Sequence, residues 1–427
     1  GLWVLKNTPL SRNLAGVADA FDVTGDARLE LELQIPLKKR AVNAKPLPVG
    51  FDGTLLFDGK PTLTPKALPL TVTGLNGRMR FDSAGVHAQD IAALVDGQPI
   101  RIGLTTEQST EQEGRTRIEI AGRSKIEDLS RRFPSPLWTI ADGRADWTLD
   151  LSLNNADMQL AAPPLNIELA SDLRGVALSP PAPFGKRANE ARPLRVTTAF
   201  TGAWPIDLRL DFAVLGALLQ LQRRPGTEVP ELERASFVIG AKPEALPGPR
   251  GILIGGRLNE VDLAPWLAWT RDADALFGAK DAADTEAESR LSVLPSSLKI
   301  GQVSFGALRL SDLDLRFSPR AGGWSIGFEG GGNGGSVDLP PAGSDGTLRV
   351  RLNDLDLQPF TEPDPSGQAQ ATDDDPRNIG RLALTIESLR FADDLLGRAL
   401  LSIEPTSGGV RFSEINLEGP LLRATGS

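Results

Sequence analysis

The sequence alternates apolar and polar residues with a period of two along much of its 427 residues. Residues 28–35 read Arg-Leu-Glu-Leu-Glu-Leu-Gln-Ile, and comparable runs occur at 146–153, 206–212, 313–317 and 348–352. Successive side chains of a β-strand point to opposite faces, so each run predicts a strand with one dry face and one wet face. The pattern is typical of antiparallel sheet, because parallel strands are usually buried on both sides.

The apolar members of these runs are the residues that we expect to line a continuous dry face. They are Leu29, Leu31, Leu33, Ile35, Trp147, Leu149, Leu151, Leu153, Ile206, Leu208, Leu210, Phe212, Leu313, Leu315, Phe317, Leu348, Val350 and Leu352. The sequence offers no long amphipathic helix to cover such a face. Either two sheets cover each other, or one curved sheet encloses something apolar that is not protein.

Turn signals and two short helical patterns punctuate the strands. Asp-Gly, Asn-Gly or Gly-Gly pairs occur at 52–53, 58–59, 76–77, 96–97, 142–143, 322–323 and 345–346, and such pairs predict tight turns. The pair Asn76-Gly77 predicts either a hairpin or a bulge inside a strand. Ser124–Arg132 and Asp262–Ala273 have capping residues and apolar spacing that favour short helices.

One segment recurs along the chain. Leu258-Asn-Glu-Val-Asp-Leu-Ala-Pro-Trp266 matches Leu352-Asn-Asp-Leu-Asp-Leu-Gln-Pro-Phe360 at most positions, and Ile126-Glu-Asp-Leu129 resembles both more weakly. An acidic stretch follows each of the first two copies, at about 271–290 and 361–378, and we expect both stretches to be mobile loops. The recurrence favours repeat architecture over independent domains, so we predict that residues 1–427 form one continuous extended segment of a larger protein.

The composition argues against catalysis and nucleic-acid binding. The chain has no Cys, no Tyr and one His, which removes most general acids, bases and metal ligands. Its net charge is −9, and its Lys and Arg residues are scattered, whereas nucleic-acid binding requires basic patches. No apolar run approaches the ~18 residues that a membrane-spanning helix needs. We predict no enzyme activity, no cofactor, no catalytic residue and no metal site.

Four motifs invite a chemical interpretation, and each has a simpler one that we favour. His87 lies in an alternating segment and lacks the second histidine of a proton relay. Ser296-Ser-Leu-Lys299 has the spacing of a serine nucleophile with a lysine, but its context predicts a strand. Gly330–Gly335 is expected to be a wide turn, because no phosphate-binding helix follows. Asp373–Asp375 is expected to be a solvated acidic run, since adjacent carboxylates cannot converge on one cation.

Several segments resemble the AsmA-like superfamily, and most closely its large YhdP-type members. They are Gly53-Thr-Leu-Leu-Phe57, Leu75-Asn-Gly-Arg-Met-Arg-Phe-Asp82, Gly97-Gln-Pro-Ile-Arg-Ile102, Phe133-Pro-Ser-Pro-Leu-Trp138, Leu173-Arg-Gly-Val-Ala-Leu178, and Pro181-Ala-Pro-Phe-Gly-Lys186. The resemblance covers most of the chain, as an interior-to-late portion of a longer protein. It implies an inner-membrane anchor outside this sequence and a long β-sheet of U-shaped cross-section in the periplasm of a Gram-negative bacterium. It also implies phospholipid transfer toward the outer membrane, with no catalytic residues.

Residues and resemblance together predict the fold class and the function. We expect a mainly β fold, an elongated, curved antiparallel sheet that forms a repeating groove, with a few short helices. The favoured function is a lipid-transfer bridge that carries phospholipid acyl chains between the inner and outer membranes, meets membrane proteins at its two ends and supports outer-membrane integrity. A structural or adhesive β-sandwich with sealed cores is the first alternative. A carbohydrate-binding β-protein is the second, with Trp266 and Trp269 as its only clustered aromatic residues.

Overall fold

The computed structural model defines strands and short helices over much of the chain. It describes residues 21–34, 50–65, 71–82, 85–95, 97–107, 114–132, 136–154, 164–201, 203–223, 230–266, 269, 292–305, 308–320, 323–330, 333–340, 346–357, 381–392, 394–406, 409–420 and 422–426. Ile35, Asp373–Asp375 and the acidic stretches 271–290 and 361–378 lie outside these residues.

Backbone contacts divide the chain into two compact units. The first consists of Gly1–Leu178, Lys186–Ala213 and Gln220–Glu231. The second consists of Ser179–Gly185, Val214–Leu219 and Leu232–Ser427. The prediction that residues 1–427 form one continuous extended segment stays a prediction.

The first unit is built from strands that pair mostly in chain order. They are β1 (Phe21–Thr24), β2 (Arg28–Gln34), β3 (Gly50–Asp58), β4 (Thr62–Pro65), β5 (Val72–Asp82), β6 (Val86–Val95), β7 (Gln98–Glu107), β8 (Arg115–Lys125), β9 (Ala141–Asn154), β10 (Leu165–Ser171), β11 (Val176–Leu178), β12 (Leu194–Phe200) and β13 (Ile206–Phe212). Antiparallel pairing runs β2-β3-β5-β6-β7-β8-β9-β10-β12-β13.

The second unit is also built from strands that pair in chain order. Strand β14 (Leu215–Gln222) belongs to it through residues 215–219, and β15 (Glu231–Ile239) through residues 232–239. The other strands are β16 (Gly251–Asp262), β17 (Ser296–Phe305), β18 (Leu308–Arg320), β19 (Gly323–Gly330), β20 (Asn333–Leu339), β21 (Leu348–Asp356), β22 (Leu382–Phe391), β23 (Asp394–Thr406), β24 (Gly409–Glu418) and β25 (Arg423–Gly426). Each pairs with the next from β15 to β25.

The mainly β fold class is confirmed, and three pairings differ from the predicted antiparallel arrangement. Strands β15 and β16, β16 and β17, and β21 and β22 are parallel. Two parallel strands that follow each other in sequence need a connection that returns across the sheet, and this takes more residues than a hairpin. The two long connections, 263–295 and 357–381, begin within the recurring segments and include the acidic stretches. The strongest repeat therefore marks the end of a strand that enters a crossover.

Glycine pairs mark close backbone approaches as well as turns. The bulge interpretation of Asn76-Gly77 is confirmed, because both residues lie inside β5 and the β5–β6 register shifts on either side of Asn76. The turn predictions at Asp52-Gly53 and Asp142-Gly143 are wrong, since these pairs lie inside β3 and β9. A Cβ on Gly53 would come within 2.1 Å of the ring of Phe81, and one on Gly143 would come within 2.1 Å of a backbone oxygen.

Both helical predictions correspond to short helical segments. Helix α1 (Ile126–Arg132) follows β8 directly, with Glu127 and Asp128 in its first turn and Arg131 and Arg132 in its last. These charges suit the helix dipole. A 3-10 helix follows at Pro136–Ile140, and residues 263–266 and 269 are also helical. None of the helices in the described ranges has the length and apolar character that crossing a membrane takes.

Candidate functional site

One face of the first unit carries apolar residues from β2 through β13. Residues directly opposed across paired strands share a face. One row of opposed residues reads Leu29, Leu55, Met79, Ala88, Leu104, Ile118, Leu151 and Ile167. A second reads Ile102, Ile120, Leu149, Leu169, Val196 and Leu210. These rows and their same-face neighbours form the first apolar face.

The lining residues predicted in the first unit lie on this face wherever they are described. They are Leu29, Leu31, Leu33, Trp147, Leu149, Leu151, Leu153, Ile206, Leu208, Leu210 and Phe212. Their exposure differs widely: Leu31 is 44% exposed, whereas Leu151 is only 8% exposed. The apolar residues of β13 are half-buried. An apolar ligand would therefore find accessible surface at β2 and β13.

Ion pairs between neighbouring strands cover the opposite face of the first unit. Arg117 binds Asp150 with both ends of its guanidinium group, Nε to Oδ1 at 2.5 Å and Nη2 to Oδ2 at 2.9 Å. Hydrogen bonding to Arg117 holds the pKa of Asp150 below its usual value. Similar pairs join Arg80 to Asp52 at 3.2 Å, Arg195 to Glu168 at 3.2 Å, and Arg123 to Asp146. The sheet thus has a charged face and an apolar face in the same strands.

The second unit repeats this arrangement across β18 to β24. One row reads Leu315, Phe328, Gly335, Leu352, Ile386, Ala399 and Leu417, and another reads Phe317, Ile326, Val337, Val350, Leu384, Leu401 and Ile415. The predicted lining residues Leu313, Leu315, Phe317, Leu348, Val350 and Leu352 all lie on this second apolar face. The other face carries ion pairs that join Lys299 to Asp314, Arg320 to Asp338, and Arg398 to Glu387.

Accessibility varies along the second apolar face as well. Leu313 is only 4% exposed, whereas Leu315, Phe317 and Val350 are half-buried. Their apolar neighbours in β19 to β22 are half-buried or buried. Ile415 in β24 is 40% exposed. A large apolar surface that remains accessible in a folded protein usually marks a binding site for another molecule.

The chemical motifs lack catalytic geometry. His87 is exposed on the charged face of β6, opposite Arg80 and Thr105. The Ser296 hydroxyl accepts a hydrogen bond from the Ile254 amide at 2.9 Å and donates to the Leu294 carbonyl at 2.8 Å. Lys299 lies three residues along the same strand, on the opposite face, and contacts Asp314. Gly330 ends β19 and pairs with Asn333, and Asn333, Gly334 and Gly335 already lie in β20, so the prediction of a wide turn over Gly330–Gly335 is wrong.

The two tryptophans do not form a flat platform for a sugar. The ring planes of Trp266 and Trp269 are 82° apart, and their centroids are 5.7 Å apart. Trp266 also meets Phe184 edge-on, and both rings pack against a buried cluster formed by residues of β15 to β18. These aromatic groups are engaged with the protein itself. No group of three or more potential metal ligands occurs among the residues that the structure describes.

An open cleft of about 1530 Å³ is lined by residues of β5 to β10 and β12. Its lining includes Ile100, Trp147 and Leu194 from the first apolar face, and Arg101 and Arg195 from the charged face. Apolar and charged surfaces therefore meet within one cleft.

Comparison with known proteins gives one family and one curated relative. The family model described as YhdP protein matches residues 1–427. The intermembrane phospholipid transporter YhdP of Escherichia coli (strain K12) is 24% identical to the chain over 199 residues. This match covers 46% of the chain and 14% of the relative. No solved structure matches the chain.

Proposed function

The chain belongs to the YhdP protein family, and from that membership we propose that it carries phospholipid acyl chains along its two apolar faces. The matched relative is named as an intermembrane phospholipid transporter, and we extend that cargo to this chain. The chain matches a small part of that relative, so we propose that it contributes one stretch of a longer lipid path.

The observation that carries the proposal is a row of opposed apolar residues that continues from one strand to the next. In the first unit the row from Leu29 to Ile167 crosses eight paired strands, and the strands themselves keep their charges on the other face. Enzyme sites gather polar groups at one place, whereas this surface repeats the same chemistry from strand to strand. Such a surface suits a ligand that is itself long and uniform.

The energetics suit an acyl chain that slides. Burying one methylene group contributes ~0.8 kcal/mol, so a chain of about 16 carbons gains on the order of 10 kcal/mol against water. Where neighbouring strands offer similarly accessible apolar side chains, a lipid that advances by one strand loses and regains nearly the same burial. The barrier to movement along the row is therefore small compared with the total binding free energy.

We propose the periplasm as the location, with a membrane anchor supplied outside this sequence. Membrane proteins of the inner and outer membranes would meet the two ends of the complete path, and the delivered phospholipids would support outer-membrane integrity. The relative's name supports a position between two membranes.

A sealed sandwich explains the exposed residues less well. A structural sandwich requires its apolar rows to be covered by protein, yet Leu31 and Ile415 are 44% and 40% exposed. The carbohydrate-binding alternative loses its aromatic platform, because Trp266 and Trp269 meet edge-on.

Photo-crosslinking in the protein as the cell makes it tests the proposal. A photoreactive amino acid replaces Leu208 or Val350, which are half-buried on the apolar faces, or Arg209 or Arg351, which are exposed on the charged faces. We expect phospholipid adducts, identified by mass spectrometry, at the first two positions and background at the other two. Equal adducts at all four positions, or none at any, would contradict the proposal.

A further inference from the structure

The indole ring of Trp147 lies across the neighbouring strand instead of projecting away from the sheet. Trp147 on β9 is directly opposite Gly122 on β8, on the first apolar face. A Cβ on Gly122 would come within 2.5 Å of the ring carbon Cζ2 of Trp147 and within 3.0 Å of the side chain of Ile100 on β7. The ring therefore occupies the space that a side chain at position 122 would take.

A hydrogen bond holds the same ring at a second point. The indole nitrogen Nε1 of Trp147 donates to the hydroxyl oxygen of Ser124 at 2.9 Å. Ser124 lies two residues after Gly122 on β8, so both residues are on the same face of the strand. The ring also packs against a buried cluster that includes Ile100. Side chains of a strand ordinarily stand roughly perpendicular to the sheet, so these contacts are what keeps the indole close to β8.

Aromatic rings lie over glycines on both apolar faces. In the first unit Phe81 is directly opposite Gly53, and a Cβ on that glycine would come within 2.1 Å of the ring. In the second unit Phe328 is directly opposite Gly335, and a Cβ there would come within 2.6 Å of its Cζ atom. The contact between Trp147 and Gly122 is therefore one case of an arrangement that recurs.

Two glycines on the charged faces have no such ring. Gly103 pairs with Glu119 in the first unit, and a Cβ on Gly103 would meet nothing closer than 3.9 Å. Gly327 pairs with Arg316 in the second unit, and a Cβ on Gly327 would have no atom within 4 Å. The three pairs of glycine and ring thus lie on the faces that we propose carry lipid.

The row that contains Trp147 gives the position of its ring a consequence. Opposed residues in this row read Ala93, Ile100, Gly122 and Trp147. Trp147 is half-buried, so its ring is the surface that an acyl chain would meet over β8. An indole that stood upright would project into the space above the face, and a chain that moves from β7 to β9 would have to pass it.

We infer that Gly122 and Ser124 are positioning residues that hold the Trp147 ring against β8 and keep the first apolar face open to acyl chains. The inference rests on the proposed function, because it concerns the lipid that crosses this face. Gly122 leaves room for the ring, and Ser124 fixes its nitrogen. The backbone of Gly122 lies outside the left-handed region, so its conformation alone does not require glycine.

Lipid transfer by variants of the full-length protein in cells tests the inference. Gly122→Ala adds one methyl group where the ring lies, so the ring must move away from β8. We expect roughly ten-fold slower transfer of labelled phospholipid to the outer membrane, the effect of keeping about two methylene groups from apolar contact. Trp147→Leu and Gly122→Ala/Trp147→Leu have no ring to obstruct the chain and should transfer lipid within about two-fold of the parent rate. Gly103→Ala adds the same methyl group on the charged face and should change the rate little.

The order of the variants separates a positioning role from a merely structural one. Trp147→Leu loses the packing of the ring and its hydrogen bond, so it would be at least as slow as Gly122→Ala if transfer simply followed stability. Protein abundance and urea unfolding show which variants are folded. Transfer at the parent rate by folded Gly122→Ala, or slow transfer by Trp147→Leu or by the double variant, would overturn the inference.

A second variant covers the case in which Gly122→Ala does not fold. Ser124→Ala adds no bulk and frees the indole nitrogen, so we expect two- to three-fold slower transfer that Trp147→Leu relieves. Transfer by Ser124→Ala at the parent rate would then overturn the inference.

Failure of the inference and failure of the proposed function give different results. If the parent protein yields phospholipid adducts at Leu208 while all the variants transfer lipid alike, lipid carriage stands and only the positioning role is lost. If the parent protein yields no adducts at Leu208, both are lost.

Discussion

A charge placed on an apolar face should slow lipid passage, and Leu208 is the best position to test it. Leu208 is half-buried on β13, and Arg209 beside it is exposed on the charged face. Leu208→Asp therefore puts a carboxylate on the proposed path, while Arg209→Asp puts the same group on the opposite face of the same strand. Leu208→Met keeps an apolar side chain of similar volume.

The expected magnitude follows from the strand spacing. Neighbouring strands are ~4.8 Å apart, so roughly four methylene groups of an acyl chain lie over each strand. If a hydrated carboxylate keeps them from apolar contact, the chain loses about 3 kcal/mol of burial at ~0.8 kcal/mol per methylene group. A barrier raised by that amount corresponds to a rate that is roughly 100-fold lower.

The assay follows labelled phospholipid from the inner to the outer membrane in cells whose only copy is the variant. We expect roughly 100-fold slower transfer for Leu208→Asp, less than two-fold change for Arg209→Asp, and a rate close to the parent for Leu208→Met. Protein abundance and resistance to proteolysis show that each variant is folded. The reasoning is refuted if folded Leu208→Asp transfers lipid at the parent rate, or if Arg209→Asp slows transfer equally.

Two further predictions concern stability and are measured by urea unfolding. Gly53→Ala should lower the free energy of unfolding by about 1–3 kcal/mol, because the new Cβ meets the ring of Phe81, whereas Gly103→Ala meets nothing closer than 3.9 Å and should change it little. Equal effects of the two substitutions would contradict this. Asp150→Asn should cost about 0.5–1 kcal/mol at pH 7 through loss of the pair with Arg117. Arg117 lowers the pKa of Asp150 in the folded state. The difference in the free energy of unfolding between the parent and Asp150→Asn is therefore fully present above pH 3.8, the pKa of Asp150 in the unfolded state, and decreases as the pH falls through its pKa in the folded state. A difference that grows toward acid pH would argue against the pair.

Local alternation predicted the strands and their dry faces because it is a property of the strand itself. Trp147, Leu149, Leu151 and Leu153 share a face in β9, as their spacing requires. Alternation cannot grade exposure, because burial depends on what the rest of the chain places above a residue. Leu31 and Leu151 have the same local pattern, yet one is open and the other covered.

Pairing direction and bulges depend on contacts that local sequence does not contain. The parallel pairing of β16 with β17 depends on the path of a long connection. Leu258 and Val261 are three residues apart yet share a face, so the period-two alternation of side chains is interrupted between them. Asp52-Gly53 was predicted to be a turn, but glycine is needed at position 53 because the ring of Phe81 leaves no room for a side chain there. Phe81 lies on another strand, so the local sequence does not show this contact.

The packing of Trp266 against Phe184 shows the same limit for the candidate site. Trp266 donates a hydrogen bond to Ala182, which is 84 residues away in the sequence. The sequence alone offered the two tryptophans as an aromatic pair and gave no reason to include Phe184. One signal was present: the recurring segment ends in Pro-aromatic, and in its first copy that aromatic residue is Trp266, which folds back onto the sheet.

The rows of opposed apolar residues have a consequence for how mutations should be tolerated. A lipid that follows such a row must pass every strand in turn, so the slowest strand limits the rate of transfer. Intact strands elsewhere cannot compensate for one that blocks passage. Intolerance to polar substitution should therefore be spread evenly along both faces, strand after strand, instead of peaking at a single hot spot as it does in an enzyme. A mutational scan of such a chain would show positions that are sensitive to polar substitution alternating with tolerant positions along each strand.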